Sequence, residues 1–215
     1  MLSCRTAPLA LPTSLSVDIL ARYGETHRAY HDAAHIAEVL DWFDIVAEGP
    51  TGWRQPAEVY VAILFHDIVY VPGAKDNERR SAALARTHAA ALGVDADRVA
   101  HLIELTARHG QLAPEDVAGD PDAAMFLDAD MAILGAAPGA FDAYDANIRF
   151  EFSDVPLDAY RAGRAAFLAG VLGKPRIYLS TAFHSLLDTH ARTNLSRALA
   201  LLAPQRADDD DRSAE

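Results

Sequence analysis

Three places along the 215-residue chain set residues capable of chemistry inside apolar surroundings. His35 runs into Ile36, Val39, Leu40 and Phe43. The pair His66-Asp67 follows directly on Val61-Ala62-Ile63-Leu64-Phe65. Asp128 and Asp130 alternate with Leu127 and Ala129, and Met131, Ile133 and Leu134 come next. An unpaired or ionised side chain in such surroundings costs several kcal/mol, so each needs a compensating partner. Taken singly, each has a plain structural reading: His35 as a hydrogen-bonded core residue, His66-Asp67 as a helix C-cap with a salt bridge, Asp128 as a capping acid. Taken together, two His and two Asp from three separate segments make a nitrogen and oxygen donor set. That set suits a divalent ion such as Mn, Fe, Ni, Zn or Co, and suits Ca poorly, because Ca prefers oxygen alone.

The elements that must position these groups read as helices. Neighbouring residues on a regular helix point about 100° apart, so His66 and Asp67 reach one point only where a helix stops. Val71-Pro72-Gly73-Ala74 supplies the loop that follows. Ile36, Val39, Leu40, Phe43 and Val46 keep helical spacing behind Asp32 as N-cap, and Gly49-Pro50 ends that helix. Pro56 opens a second helix, apolar nearly all round and therefore central. Asp76 is read as the cap of a helix from Asn77 to Leu92, stopped at Gly93, and Asp95 or Asp97 as the start of one that carries Val99, Leu102, Ile103 and Thr106. Further helices are expected over Ala123 to Leu134 and over 138–152, 157–172 and 179–202. No run of alternating β-branched residues stands against them, so the expected class is all-α, with one compact bundle holding a metal site between central helices.

Composition limits the partners. With 51% hydrophobic residues the chain can build a full core, and a net charge of −12 repels phosphate backbones and anionic lipid. Nucleic acid and membranes are therefore not expected as partners, and the helix-rich surface presents no evident dimer seam. The single cysteine, Cys4, forms no internal disulfide, which fits a reducing cytoplasm and leaves metal ligation to His and carboxylates. The apolar run Ala7 to Leu11 is broken by Pro8 and bounded by Pro12, so it is not read as a signal sequence. The expected organisation is a flexible start over 1–13, a helical domain over 14–204 and an acidic, disordered tail over 205–215, where five acids and one Arg fall in the last eight residues.

The order His, then His-Asp, then Asp on successive helices resembles the HD superfamily of metal-dependent phosphohydrolases. The surrounding words carry the resemblance further: Arg28 to Ile36 (RAYHDAAHI), Phe65 to Tyr70 (FHDIVY), Asp76 to Ala82 (DNERRSA) and Leu127 to Gly135 (LDADMAILG). Ile177-Tyr178 and Ala191 to Leu195 (ARTNL) complete it. Together they are similar to one bacterial branch of predicted HD phosphohydrolases over roughly residues 22 to 200. The resemblance implies His35, His66, Asp67 and Asp130 as metal ligands, with Asp128 outside the set. It implies hydrolysis of a phosphomonoester or phosphodiester of a small molecule, a nucleotide among the candidates, by metal-activated water. Asp67 then orients the water and Glu78 serves as acid or base, or holds a ligand histidine. Arg28, Lys75 and Arg79 are the candidates for the substrate phosphate. His31, one turn before His35, either faces the same cavity or partners a nearby acid. Some HD proteins hold a second metal through a His at the position of Asn77; a neutral amide is a weak ligand, so one ion is expected, with Glu78 and His109 as a looser second set. Two other readings of the same residues are an HD-fold diiron oxygenase and a metal-stabilised binding module without catalysis.

Overall fold

The structure, a computed structural model, describes residues 4–202. Among the described residues the chain forms nine α-helices and no strand: α1 Thr13–Tyr23, α2 Ala33–Glu48, α3 Pro56–Phe65, α4 Asn77–Leu92, α5 Ala96–Thr106, α6 Pro121–Asp130, α7 Pro138–Glu151, α8 Leu157–Leu172 and α9 Thr181–Leu202. Short 3-10 turns lie at Pro114–Val117 and Ala132–Gly135. The all-α expectation therefore holds. No helix among these residues is long and apolar enough to cross a membrane. The acidic tail expected over 205–215 lies outside the described residues.

α3 is the centre. Every residue from Val59 to Phe65 is buried, and the helix packs against α2, α4, α5 and α6. α6 is nearly as enclosed, with Asp122 to Asp130 all buried. The three-residue link after α4 turns at Gly93, whose φ of 70° suits glycine, and folds α5 back along α4. α9 packs on α8 and on the 3-10 turn Ala132–Gly135.

Aspartate side chains cap three of the helices, with Asp120 accepting the Ala123 amide at the start of α6. The Asp32 carboxylate accepts the amides of Ala34 and His35, and Asp95 accepts those of Asp97 and Arg98. Asp76 differs: its side chain caps nothing and pairs with Arg79 at 3.0 Å. α1 also departs from the sequence reading, which left that stretch unassigned. It buries Leu15, Ile19 and Tyr23 on one row, and the Tyr23 hydroxyl donates to the Leu64 carbonyl at 3.2 Å. The segment before it, read as flexible, is held at Cys4 to Thr6: buried Asp44 accepts both the Arg5 and Thr6 amides at 2.9 Å and the Thr6 hydroxyl at 2.6 Å.

The expected single helix over Ala123 to Leu134 is broken. α6 stops at Asp130, Met131 takes φ −86° and ψ 1°, and the chain continues as a 3-10 turn. Carbonyls freed by the break find remote partners: Tyr178 donates its hydroxyl to Met131, and the Asn194 amide donates to Leu134 at 3.0 Å and Ala136 at 2.9 Å. A Cβ on Gly135 would lie 2.7 Å from the Leu187 Cβ, so glycine is what lets α9 approach this turn.

Candidate metal centre

The donor groups are carried by helix ends. α3 stops at Phe65, with His66 as its C-cap in helical conformation, and the chain turns there through the Ile68 amide to the Phe65 carbonyl at 3.2 Å. His66 and Asp67, adjacent in sequence, thereby reach the same point: His66 Nε2 and Asp67 Oδ2 are 3.1 Å apart. His35 comes from the first turn of α2 and Asp130 from the last residue of α6.

His35, His66 and Asp130 form a buried group that could hold a metal ion. Their donor atoms are 3.2 Å apart from His35 Nε2 to His66 Nε2, 3.2 Å from His35 Nε2 to Asp130 Oδ1, and 3.4 Å from His66 Nε2 to Asp130 Oδ1. Bonds of about 2.1 Å to one ion put neighbouring ligand atoms about 3.0 Å apart in an octahedron and about 3.4 Å apart in a tetrahedron. The triangle matches that range. Asp67 Oδ2 adds a fourth atom, 3.7 Å from His35 Nε2.

The tautomers are set from outside the cluster. His66 Nδ1 donates to the Ile63 carbonyl at 2.8 Å, which leaves Nε2 to point at the other donors. His109 Nδ1 donates to Asp130 Oδ2 at 2.8 Å and so turns Oδ1 toward the imidazoles. Burial alone would lower the pKa of His66, but the carboxylates of Asp67 and Asp130 hold it well above the ordinary imidazole value. Burial alone would likewise raise both carboxyls; His66 foremost holds them well below the usual carboxylate range. Two carboxylates and two facing imidazole nitrogens thus demand positive charge, which a proton or a divalent ion supplies.

Beside the cluster lies a cavity of about 220 Å³, lined in part by His31, Asp67, Glu78, His109 and Asp130. Glu78, named from the sequence as acid or base, lines this space. Arg28, Lys75 and Arg79 do not line it. Lys75 and Arg79 are exposed. Arg28 is buried and committed to backbone: it donates to the carbonyls of Asp67 at 2.7 Å, Ile68 at 3.1 Å and His31 at 3.0 Å, and to Glu25. It clamps the His-Asp turn. Asn77 is likewise a clamp, since its amide both accepts the Val71 N–H and donates to the Val71 carbonyl. Asp128 accepts the amides of Leu179 and Ser180 at 2.7 Å each, away from the cluster, as its capping reading expected.

One residue of this region has no part in the sequence reading. Glu151, the last of α7, accepts three successive amides, Ala29, Tyr30 and His31, on Oε1, while His31 Nδ1 and the Tyr70 hydroxyl donate to Oε2 at 2.7 Å. His31 both faces the cavity and partners an acid, so its two sequence readings are both met. Burial would raise the Glu151 pKa, but the hydrogen bonds, that of His31 first, lower it to about 2. A signal was present: Glu151 continues the buried row Phe141, Tyr144, Ile148, where an acid has no place without a partner.

Fold and site together define a class: an all-α domain with a buried His/Asp cluster suited to a metal ion. Comparison with family models, with curated proteins and with solved structures finds no match to this chain.

Proposed function

We propose that the protein is a metal-dependent phosphohydrolase acting on a phosphoester of a small molecule, with one divalent transition ion held by His35, His66, Asp130 and Asp67. The observation that carries this reading is the convergence of three donor atoms, from three helices, at 3.2 to 3.4 Å from one another beside a cavity. The resemblance of the ordered motifs to HD phosphohydrolases supplies the reaction class. A divalent ion held there would acidify water and polarise a phosphoryl oxygen. The chain's own groups do the rest. Asp67, whose carbonyl Arg28 fixes, orients the water; Glu78 lines the same cavity and takes the water's proton. The His109 hydrogen bond keeps Asp130 aimed at the imidazoles, and Arg28 keeps the His-Asp turn closed.

Elemental analysis of gently purified protein, run beside the double variant His66→Ala, Asp67→Ala, tests the site. About one Mn, Fe, Ni, Zn or Co per chain, lost in the variant, is the expected result, together with phosphate release that the variant lacks. No metal in either protein after loading overturns the reading. Two irons per chain with oxygen-dependent turnover replaces it with an oxygenase.

A further inference from the structure

The wall of the cavity opposite in character to the metal cluster is apolar, built by Met131, Ile133, Leu134, Ile148 and Phe167. No lysine or arginine among the described residues lines the space. Arg108, between the lining residues Ala107 and His109, is exposed and does not line the space, and four other basic residues are committed elsewhere. Arg28 is spent on carbonyls, and Arg149 donates to the carbonyls of Phe152 and Val155. Arg164 sits behind Tyr144 and Phe167 and pairs with Asp145, and Lys174 donates to the Leu112 carbonyl. The fixed charges that do face the cavity are carboxylates, Asp67, Glu78 and Asp130, with His31 and His109 as the imidazoles.

A phosphomonoester carries about two negative charges near neutral pH, which one divalent ion can offset. A polyphosphate carries more and would find carboxylates where it needs cations. The volume points the same way: about 220 Å³ lies below the roughly 300–1,000 Å³ of sites for drug-sized ligands, so a base, a sugar and a phosphate chain together would extend beyond it. We infer that the cavity takes a compact phosphomonoester with an apolar carbon body, its phosphoryl group at the His/Asp cluster and its body against Ile148 and Phe167, and that it discriminates against polyphosphates. This inference rests on the phosphohydrolase reading for its reaction and on the lining alone for its ligand.

Binding separates the two. Calorimetry on the full chain loaded with one divalent ion would compare phenylphosphonate, methylphosphonate and the magnesium complex of a β,γ-methylene nucleoside triphosphate. Phenylphosphonate is expected to bind about tenfold more tightly than either. Phe167 is half-buried at the cavity wall, and Phe167→Ala is expected to remove most of that advantage while leaving methylphosphonate unchanged. Phosphate release from phenyl phosphate should exceed that from the corresponding hydrolysable nucleoside triphosphate, with an oxygen bridge between its β and γ phosphorus atoms, by a similar factor. Preferred binding without release from any ester keeps the ligand class and overturns the hydrolase reading. Equal or tighter binding of the triphosphate analogue, or a Phe167→Ala variant that weakens both phosphonates alike, overturns the ligand class, and release from the hydrolysable triphosphate then leaves the hydrolase standing. Failure of all three probes to bind overturns both.

Discussion

Buried acids outside the cluster, Asp44, Asp122, Asp128, Glu151 and Asp188, hold this protein's loops by accepting backbone amides. Asp44 is the clearest case away from the cluster. Burial would raise its pKa, yet the Thr6 hydroxyl and the amides of Arg5 and Thr6 lower it from 3.8 to about 2. A carboxyl whose pKa is lower folded than unfolded adds stability above the unfolded value and loses it as pH falls through the folded one. Asp44→Ala should therefore cost about 2 kcal/mol at neutral pH. The gap to the unaltered protein should close between pH 3.8 and about 2 in denaturant titrations. A gap independent of pH across that window would mean that the carboxylate's charge contributes nothing. Such acids were hard to read in the sequence. His35, His66, Asp67 and Asp130 stood out because each interrupts an apolar run. Asp44 and Glu151 take partners in distant segments, Arg5-Thr6 and Ala29 to His31, which no local spacing records.

Helix termini, not helix faces, present the donors, and the placement of those termini decides whether the site exists. The break after Asp130 is the critical one. Met131, Ile133 and Leu134 continue the apolar pattern, so local periodicity favours an unbroken helix; Tyr178 and Asn194 provide the carbonyl partners that permit the break. α1 presents the opposite case, since its row Leu15, Ile19, Tyr23 keeps plain i, i+4 spacing in the sequence. The approach of α9 to the broken end depends on Gly135. Gly135→Ala forces a methyl group against Leu187 and should cost about 2 kcal/mol with a loss of metal affinity, whereas Gly139→Ala, with nothing within 4 Å, should be nearly neutral. Equal thermal midpoints for the two variants would show that α9 yields without cost. The words ARTNL and IY near the end belong to this bracing. Arg192 donates to the carbonyls of Leu172, Lys174 and Pro175, and Asp188 accepts the Ile177 amide.

The molecule as a whole is an acidic bundle whose most concentrated buried charge sits where three helices meet. An ion that binds the folded chain alone stabilises it by about 2.7 kcal/mol at a hundredfold excess over its Kd. For a chain of this size that raises the thermal midpoint by about 5–10 °C. Calorimetric scans with and without a chelator should show the shift in the unaltered protein and none in His66→Ala, Asp67→Ala. A shift retained in the double variant would place the ion elsewhere on the acidic surface. The all-α class and the order of the donors were legible in the sequence, because both follow from local apolar spacing. The cavity's lack of cations was not: Arg28 stands in the sequence beside the motif and turns, in the fold, to the backbone.

The spread of the donors along the chain has a consequence for biosynthesis. His35 and His66 leave the ribosome well before Asp130, and Asn194, which braces the end of α6, follows later still. Until Asp130 emerges, the chain offers only these imidazoles and the adjacent Asp67, an incomplete set of donors. An ion that needs all of these donors would therefore be captured only after Asp130 and its brace Asn194 have been made, and would be drawn from the pool that meets the folded domain.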